Sequence, residues 1–163
     1  NDGFITGDGD KKPFGILTNA DVKKVDVGGA VTAEILLKLI NELDEEYIGN
    51  ASFLMNRSTL SAIQGLKDEN GRFIWQQSLS EPLKQTIFGI PVFCSSHMPN
   101  VAENNLAVVI GDFKSAYKIE DRANIAEMRD QYTAKQLIKF YAVKRAGGDV
   151  VMQSDLKFAK FSA

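Results

Sequence analysis

The sequence predicts an α+β fold with two lobes, because its apolar residues follow different patterns in different parts of the chain. Residues 34–47 carry apolar side chains at the 3–4 residue spacing of an amphipathic helix. Short apolar runs of strand length, such as 106–110, are separated by polar turns. From Ala116 onward, strand-like alternation replaces helical spacing. We therefore expect a helix-and-strand lobe followed by a β-rich lobe.

The composition places the chain among ordinary globular proteins. Its 163 residues are 44% hydrophobic and 25% charged, which suits one core or two small ones. The net charge of −2 lacks the basic excess that usually accompanies nucleic-acid binding. No segment reaches the roughly 18 apolar residues that a membrane helix needs. Cys94 is the single cysteine, which excludes an internal disulfide, and its apolar surroundings predict a buried small hydrophobe.

The first part of the chain predicts loops and then one strand. Residues 1–19 form a loop-rich initial segment in which Pro13 prevents a helix from continuing. The chain does not begin with Met, which indicates a fragment or a processed product. Alternation over residues 21–27 predicts a strand, which Gly28 and Gly29 end.

Two helices are expected on either side of a short strand. Thr32 is a favourable N-cap for the first helix, which we expect to end at Gly49. Its buried face comprises Leu36, Leu39, Ile40, Leu43 and Tyr47. The next apolar run, 52–55, predicts a core strand containing Phe53, and Asn56 or Ser58 can cap a second helix that carries Leu60, Ile63 and Leu66.

Strands dominate the rest of the chain. A polar turn at 67–72 leads into the β-prone run 87–93, where Gly89 and Pro91 indicate an edge or a bulge. Residues 106–110 predict a buried strand. We expect two short strands, 116–120 and 125–128, around a turn at 121–124. Alternation over 137–145 and the run 157–161 predict the last two strands.

No residue pattern indicates a catalytic, cofactor-binding or metal site. His97 is the only histidine, and no nucleophile motif accompanies it. Asp8-Gly9-Asp10 is similar to the start of a calcium loop, but Lys12 stands at the third oxygen-ligand position and Asn19 stands where a bidentate Glu is needed. The acidic run 44–46 is interpreted as the solvated end of the first helix, where acids slightly oppose the helix dipole. The absence of assembled chemistry favours a structural or binding role.

Five motifs, in matching order and at matching intervals, resemble those of HK97-type tailed-phage major capsid proteins. They are Gly7-Asp8-Gly9 with Pro13-x-Gly15-Ile16-Leu17; Asn50 to Asn56; Leu66 to Trp75 around Asn70-Gly71-Arg72; Phe88 to Val92; and Gly111-Asp112-Phe113 followed by Tyr117 and Asp121-Arg122. Each motif alone is weak, but together they cover nearly the whole chain. The sequence is therefore similar to the C-terminal part of such a subunit.

The resemblance implies an HK97-like capsid fold with an axial lobe and the β-rich part of a peripheral lobe. It assigns residues 1–19 to the segment after a spine helix, 20–115 to the axial lobe and 116–163 to strands of the peripheral lobe. It also implies self-assembly into pentamers and hexamers that enclose a phage or prophage genome, within a virion capsid synthesised in the bacterial host cytoplasm. Scaffolding and portal proteins are the implied partners, packaged DNA is near the shell, and no membrane is involved.

Some members of that family crosslink subunits through Lys and Asn side chains with a nearby Glu. Gln136 and Val143 stand at the Asn and Glu positions of this sequence, and the loop that would carry the Lys precedes Asn1. The crosslinking chemistry is therefore not expected here. The family's N-terminal arm, extended loop and spine helix would all precede Asn1, and shell closure needs the many weak contacts that they supply. We therefore expect this chain alone to sediment as monomers or small oligomers.

Subunit contacts are expected in residues 67–80, a predicted projecting loop at the capsomer axis. The candidates combine both signs of charge with aromatic side chains: Lys67, Asp68, Glu69, Arg72, Phe73 and Trp75. The alternative is a solvated hairpin with Trp75 tucked into its own lobe. Two other functions stay open, an encapsulin-like compartment shell that holds cargo enzymes and, with less support, a small hydrolase.

Overall fold

Eight strands and five helices make up the parts of the chain that the structure describes. The structure is a computed structural model, and it describes residues 3–19, 22–29, 31–67, 75, 85–130 and 138–162, with only the backbone at position 122. The helices are α1 (Gly3–Thr6), α2 (Ala33–Asn41), α3 (Glu45–Ile48), α4 (Arg57–Gln64) and α5 (Phe113–Ala116). The strands are β1 (Lys24–Val27), β2 (Ser52–Met55), β3 (Thr86–Ile87), β4 (Ile90–Cys94), β5 (Leu106–Gly111), β6 (Tyr117–Asp130), β7 (Lys139–Val150) and β8 (Leu156–Phe161).

The strands form two separate sheets. The larger is six-stranded, with the order β1-β8-β5-β2-β4-β3. Strand pairs β1–β8 and β2–β4 are parallel, and the other neighbours are antiparallel. The smaller sheet consists only of β6 and β7, paired antiparallel from Tyr117–Val150 to Asp130–Lys139. We call this two-stranded sheet the ribbon. The predicted α+β class is confirmed.

The central strands of the six-stranded sheet are covered on both faces. One face carries the main core, in which α2, α3 and α4 pack on the sheet through side chains such as Leu39, Phe53 and Ile110. The other face packs against the initial segment and the root of the ribbon, through Ile5, Val109 and other buried residues. In β5, Val108 and Ile110 lie in the main core and Val109 lies in the other, which explains why this strand is a continuous apolar run. The initial segment is therefore part of a core.

The predicted first helix is two helices. Thr32 caps α2 by accepting a hydrogen bond from the Ile35 amide, as expected. The helix ends at Asn41, and Asp44 then adopts an extended backbone (φ −65°, ψ 141°) before α3 begins. Glu45 and Glu46 consequently lie in the first turn of α3, where acidic side chains interact favourably with the helix dipole. The interpretation of these acids as a helix end was wrong.

Two predicted β-prone stretches differ in the structure. The run 87–93 is divided, because Phe88 and Gly89, both at positive φ, form a two-residue hairpin turn between the edge strand β3 and β4, which lies between β2 and β3. By contrast, residues 121–124 form no turn: β6 runs through them, and the register shifts between Asp121 and Ala126 take up the irregularity. The two short strands predicted there are one long strand.

Two further expectations change at the ends of strands. The last strand, β8, pairs with β1 and β5 in the six-stranded sheet, although the division near residue 116 grouped it with the ribbon. Cys94 is exposed, not buried, because β4 turns Ile90 and Val92 inward and Cys94 ends the strand. A strand pattern alone does not show where the covering layer stops.

The predicted core residues Leu39, Leu43 and Phe53 are all buried. Leu43 lies between α2 and α3 and packs in the main core at 3% exposure. We expect Leu43→Ala to lower the free energy of unfolding by roughly 2–5 kcal/mol, measured by urea denaturation. Leu37→Ala is the control, since Leu37 is 44% exposed on α2. Equal effects of the two substitutions would contradict the assigned core.

Candidate subunit interface

The ribbon exposes most of its side chains. The described side chains of β6 from Lys118 to Arg129 are exposed, as are those of residues 138–146 on and beside β7. The described part of the ribbon carries two exposed ion pairs, Lys118 with Glu120 at 3.2 Å and Lys144 with Asp121 at 2.8 Å. Such pairs contribute little to stability in water. A two-stranded sheet of this length therefore depends on other surfaces for its stability.

Both faces of the ribbon carry large apolar side chains. The register places Met128 opposite Tyr141 on one face, with Val143 two residues further on. Ile138 and Phe140 lie on the other face, where Phe140 is opposite Arg129. Phe140 is 73% exposed and Met128 is 67% exposed. Exposed apolar clusters of this kind mark surfaces that bind protein.

The root of the ribbon is held by the initial segment. The Tyr117 hydroxyl donates a hydrogen bond to the Phe14 carbonyl at 2.6 Å, and the Phe14 amide donates to the Gly148 carbonyl at 3.0 Å. Burial, together with the charge of Asp149, raises the pKa of Tyr117, so the hydroxyl stays protonated as a donor. The Phe4 ring meets the Tyr117 ring edge-on, with centroids 6.2 Å apart.

The motif Gly7-Asp8-Gly9 with Pro13 and Gly15 makes this root compact. A Cβ on Gly15 would stand 2.6 Å from the Gly7 amide nitrogen, so only glycine allows the two backbone segments to approach this closely. Asp8 accepts a hydrogen bond from the Asp10 amide at 3.2 Å and thus stabilises its own turn. The motif therefore has a structural explanation at the root of the ribbon.

The predicted contact residues of 67–80 are only partly described. Lys67 is exposed, and Trp75 is half-buried against the main core. Trp75 also lines an apolar cleft of about 210 Å³ with Leu36, Ile63 and Ile87. This position agrees with the alternative in which Trp75 is tucked into its own lobe. The other four candidates lie outside the described residues: Asp68, Glu69, Arg72 and Phe73.

The structure brings no catalytic or metal-binding group together in its described parts. His97 lies in an exposed turn, where its amide donates to the Ser95 hydroxyl at 3.3 Å. Within the described residues, no three His, Cys, Asp or Glu side chains lie close enough to hold a metal ion. Among the helices described, none has the length and apolar character needed to cross a membrane.

Sequence patterns indicated strands in the ribbon but missed its exposed apolar faces as functional residues. Over 137–145 the apolar residues Ile138, Phe140 and Ala142 alternate with lysines, and Tyr141 and Val143 disturb the pattern. The structure shows that both sides are exposed within this chain. The irregular alternation was the available signal, because a strand that is apolar on both faces needs cover on both.

Comparison with solved structures identifies the fold. The capsid of an empty GTA particle, computed with C5 symmetry, is 37% identical, with a TM-score of 0.82 over 99% of this chain and 60% of the other. The capsid of the native GTA particle is 36% identical, with a TM-score of 0.83 over the same shares. The SrpI encapsulin of Synechococcus elongatus PCC 7942 is 19% identical, with a TM-score of 0.65 over 90% of this chain and 56% of that one, and shares the fold.

This chain spans 60% of the length of the two GTA capsid proteins. No curated protein sequence matches it. The family model described as the phage capsid family matches residues 1–161. That match, the 37% identity and the shared HK97-like fold lead to one conclusion: the chain belongs to the phage capsid family.

Proposed function

We propose that this chain is part of the structural subunit of an icosahedral phage or prophage shell. In this proposal, copies of the subunit assemble into pentamers and hexamers, and the closed shell surrounds the genome in the virion. The observation that supports it best is the ribbon, whose exposed apolar faces need partner surfaces on both sides. The GTA capsids, with C5 symmetry, provide a precedent for such an array.

The missing cover of the ribbon is proposed to come from two sources. One of the two faces, either the face with Met128 and Tyr141 or the face with Phe140, would pack on a segment of the same subunit outside this chain, such as a spine helix. The opposite face would pack on a neighbouring subunit. In this arrangement the six-stranded sheet with its helices corresponds to the axial lobe, and the ribbon corresponds to the peripheral lobe. Scaffolding and portal proteins, synthesis in the host cytoplasm and contact with DNA only by proximity belong to the same proposal.

Purification of the complete gene product that contains this chain tests the proposal. Sedimentation and electron microscopy should show closed icosahedral particles that protect nucleic acid from nuclease. Particles that contain a cargo protein instead of nucleic acid would favour the encapsulin-like alternative. A complete product that stays monomeric under all assembly conditions would contradict both. The 163-residue chain alone should sediment as monomers or small oligomers, because shell closure sums many weak contacts.

We also propose that the chain has no catalytic activity. His97 would have to serve as a base, and the sequence contains no nucleophile motif to accompany it. Panels of esterase, protease and phosphatase substrates should therefore give the same background rate for the wild type and for His97→Ala. Turnover that the wild type shows and His97→Ala loses would support the hydrolase alternative.

Residues 67–80 are proposed to meet their copies around the capsomer axis. Lys67, Asp68, Glu69 and Arg72 supply charges of both signs that can set the orientation of adjacent copies, with Phe73 and Trp75 as apolar anchors. Since Trp75 is half-buried in its own lobe, this proposal depends mainly on the four charged side chains. In the complete subunit, Arg72→Glu should impair capsomer formation, seen by native sedimentation, with a melting temperature close to that of the wild type. Normal capsomers from Arg72→Glu, with Arg72→Lys as the matched control, would place the contact elsewhere.

A further inference from the structure

Two chain segments connect the six-stranded sheet to the ribbon, and they meet at a buried carboxylate. The first segment is β5 through α5 into β6, and the second is residues 151–155, which lead from β7 into β8. Asp155 is fully buried, at 0% exposure. Its Oδ2 accepts a hydrogen bond from the Ser115 Oγ of the first segment at 2.7 Å. Its Oδ1 accepts one from the Ser154 Oγ of its own segment at 2.8 Å.

Backbone hydrogen bonds join the same two segments on either side of this carboxylate. The Asp112 amide donates to the Asp155 carbonyl at 3.2 Å, and the Val151 amide donates to the Ala116 carbonyl at 2.8 Å. Asp112 also caps α5, accepting from the Lys114 amide at 3.0 Å. We call Asp112, α5 and residues 151–155 the joint. Because each of these bonds links or braces the two segments, a change at the joint alters how the ribbon leaves the sheet.

The helix layer and a buried lysine also reach the joint. The charge of Asp155 raises the pKa of Tyr47 on α3, and burial and the charge of Glu46 add to the shift. Lys157, which is 7% exposed on β8, donates to the Ser154 carbonyl at 2.9 Å. A buried carboxylate is costly unless it accepts hydrogen bonds, so these neighbours hold its position closely. The joint therefore connects both cores of the six-stranded sheet to the ribbon.

We propose that Asp155 is a positioning residue that fixes the angle between the ribbon and the six-stranded sheet, and thereby the curvature of the assembled shell. The angle follows from contacts within this chain. The effect on curvature rests on the proposed shell function, since a small change of angle in each subunit is repeated through a symmetric array. The hydrogen bond from Ser115 is a side-chain link that crosses from one segment to the other, whereas the hydrogen bond from Ser154 stays within one segment.

Two serine substitutions separate the crossing hydrogen bond from the local one. Cys94 on β4 is exposed and is the single cysteine, so one added cysteine, Glu127→Cys on β6, allows paired spin labels on the sheet and the ribbon. Ser115→Ala should widen the distribution of label distances about twofold, because the angle is no longer held in one state. Ser154→Ala should leave the distribution unchanged, although it removes a hydroxyl from the same carboxylate. Asp155→Ala should widen the distribution further.

The angle proposal is overturned if Ser115→Ala and Ser154→Ala give the wild-type distribution, even where both lower the melting temperature. If Asp155→Ala does not fold, the two serine variants decide alone. In complete subunits, Ser115→Ala should give particles of mixed diameter by electron microscopy, and Ser154→Ala should give the wild-type diameter. Uniform particle diameters together with a widened distribution of label distances would overturn the proposed effect on shell curvature and leave the proposed role in the angle standing. Failure of the wild-type subunit to form particles would count against the shell function, while the label distances would still test the angle.

Discussion

Gly111→Ala is expected to lower the free energy of unfolding by at least about 3 kcal/mol, since it combines backbone strain with a forced shift in the core. Gly111 ends β5 at φ +155°, where a Cβ would overlap the Asp155 carbonyl oxygen and stand 2.9 Å from its carbonyl carbon. Both atoms belong to the backbone, so no side-chain rotation can relieve the overlap. The substitution would separate β5 from β8 and open the joint at the same time. Urea denaturation of the purified chain measures the loss.

A second glycine provides the control for Gly111. An added Cβ on Gly28 meets no atom within 4 Å, so only the conformational preference of alanine is tested there. We expect Gly28→Ala to change stability by no more than about 0.5 kcal/mol. If Gly111→Ala behaves like Gly28→Ala, the close approach of β5 to the second connecting segment is wrong. The assignment of Asp155 as the centre of the joint would then lose its geometric basis.

Local patterns predicted the elements whose side chains determine them. Thr32 was predicted to be an N-cap, and Asn56 was one of two cap candidates with Ser58, because a side-chain oxygen must satisfy an amide in the first turn. Thr32 and Asn56 both do so. Leu39, Leu43 and Phe53 were identified as core residues from spacing alone. Gly89 and Pro91 indicated an irregular strand, and the structure places Gly89 in a hairpin turn and Pro91 on β4, next to the edge strand β3.

Features that depend on distant parts of the chain could not be predicted in this way. The break at Asp44 leaves the apolar spacing intact, because α2 and α3 cover the same core, so periodicity does not show that the helix is interrupted. Strand β8 is buried on both faces between β1 and β5, and its sequence does not specify which sheet it joins. Asp155 had no local signal at all. Its role arises from Ser115, which lies 40 residues away in sequence.

The candidate interface shows the same division. The turn residues of 67–80 have a composition that predicts contact, yet Trp75 is half-buried within its own lobe. The strands of the ribbon were predicted, but whether each of its faces is exposed depends on which other parts of the protein pack against it. Tertiary context therefore decides which apolar residues are core and which are available to partners.

Both faces of the ribbon are expected to be needed for assembly of closed particles. In complete subunits, Phe140→Glu and Met128→Glu should each reduce the yield of closed particles at least about tenfold, the effect of a 1.4 kcal/mol change in an equilibrium. Each substitution removes an apolar side chain whose burial stabilises by about 1.5–3 kcal/mol and brings a carboxylate into the contact, where its desolvation is costly. Electron microscopy and sedimentation measure the yield. The melting temperature of the unassembled chain should hardly change, because both side chains are exposed there.

Conservative variants at the same positions test whether burial causes the effect. Phe140→Leu and Met128→Leu keep an apolar side chain and should assemble much better than the glutamate variants. Met128→Leu also conserves volume, and such exchanges usually cost less than about 1.5 kcal/mol. The proposal requires both glutamate variants to fail, because the register places Phe140 and Met128 on opposite faces. If only one fails, one face of the ribbon stays in solvent within the shell, and cover from both sides is wrong. If both assemble normally, the ribbon is not a subunit contact, and the contacts must lie on the six-stranded sheet and its helices.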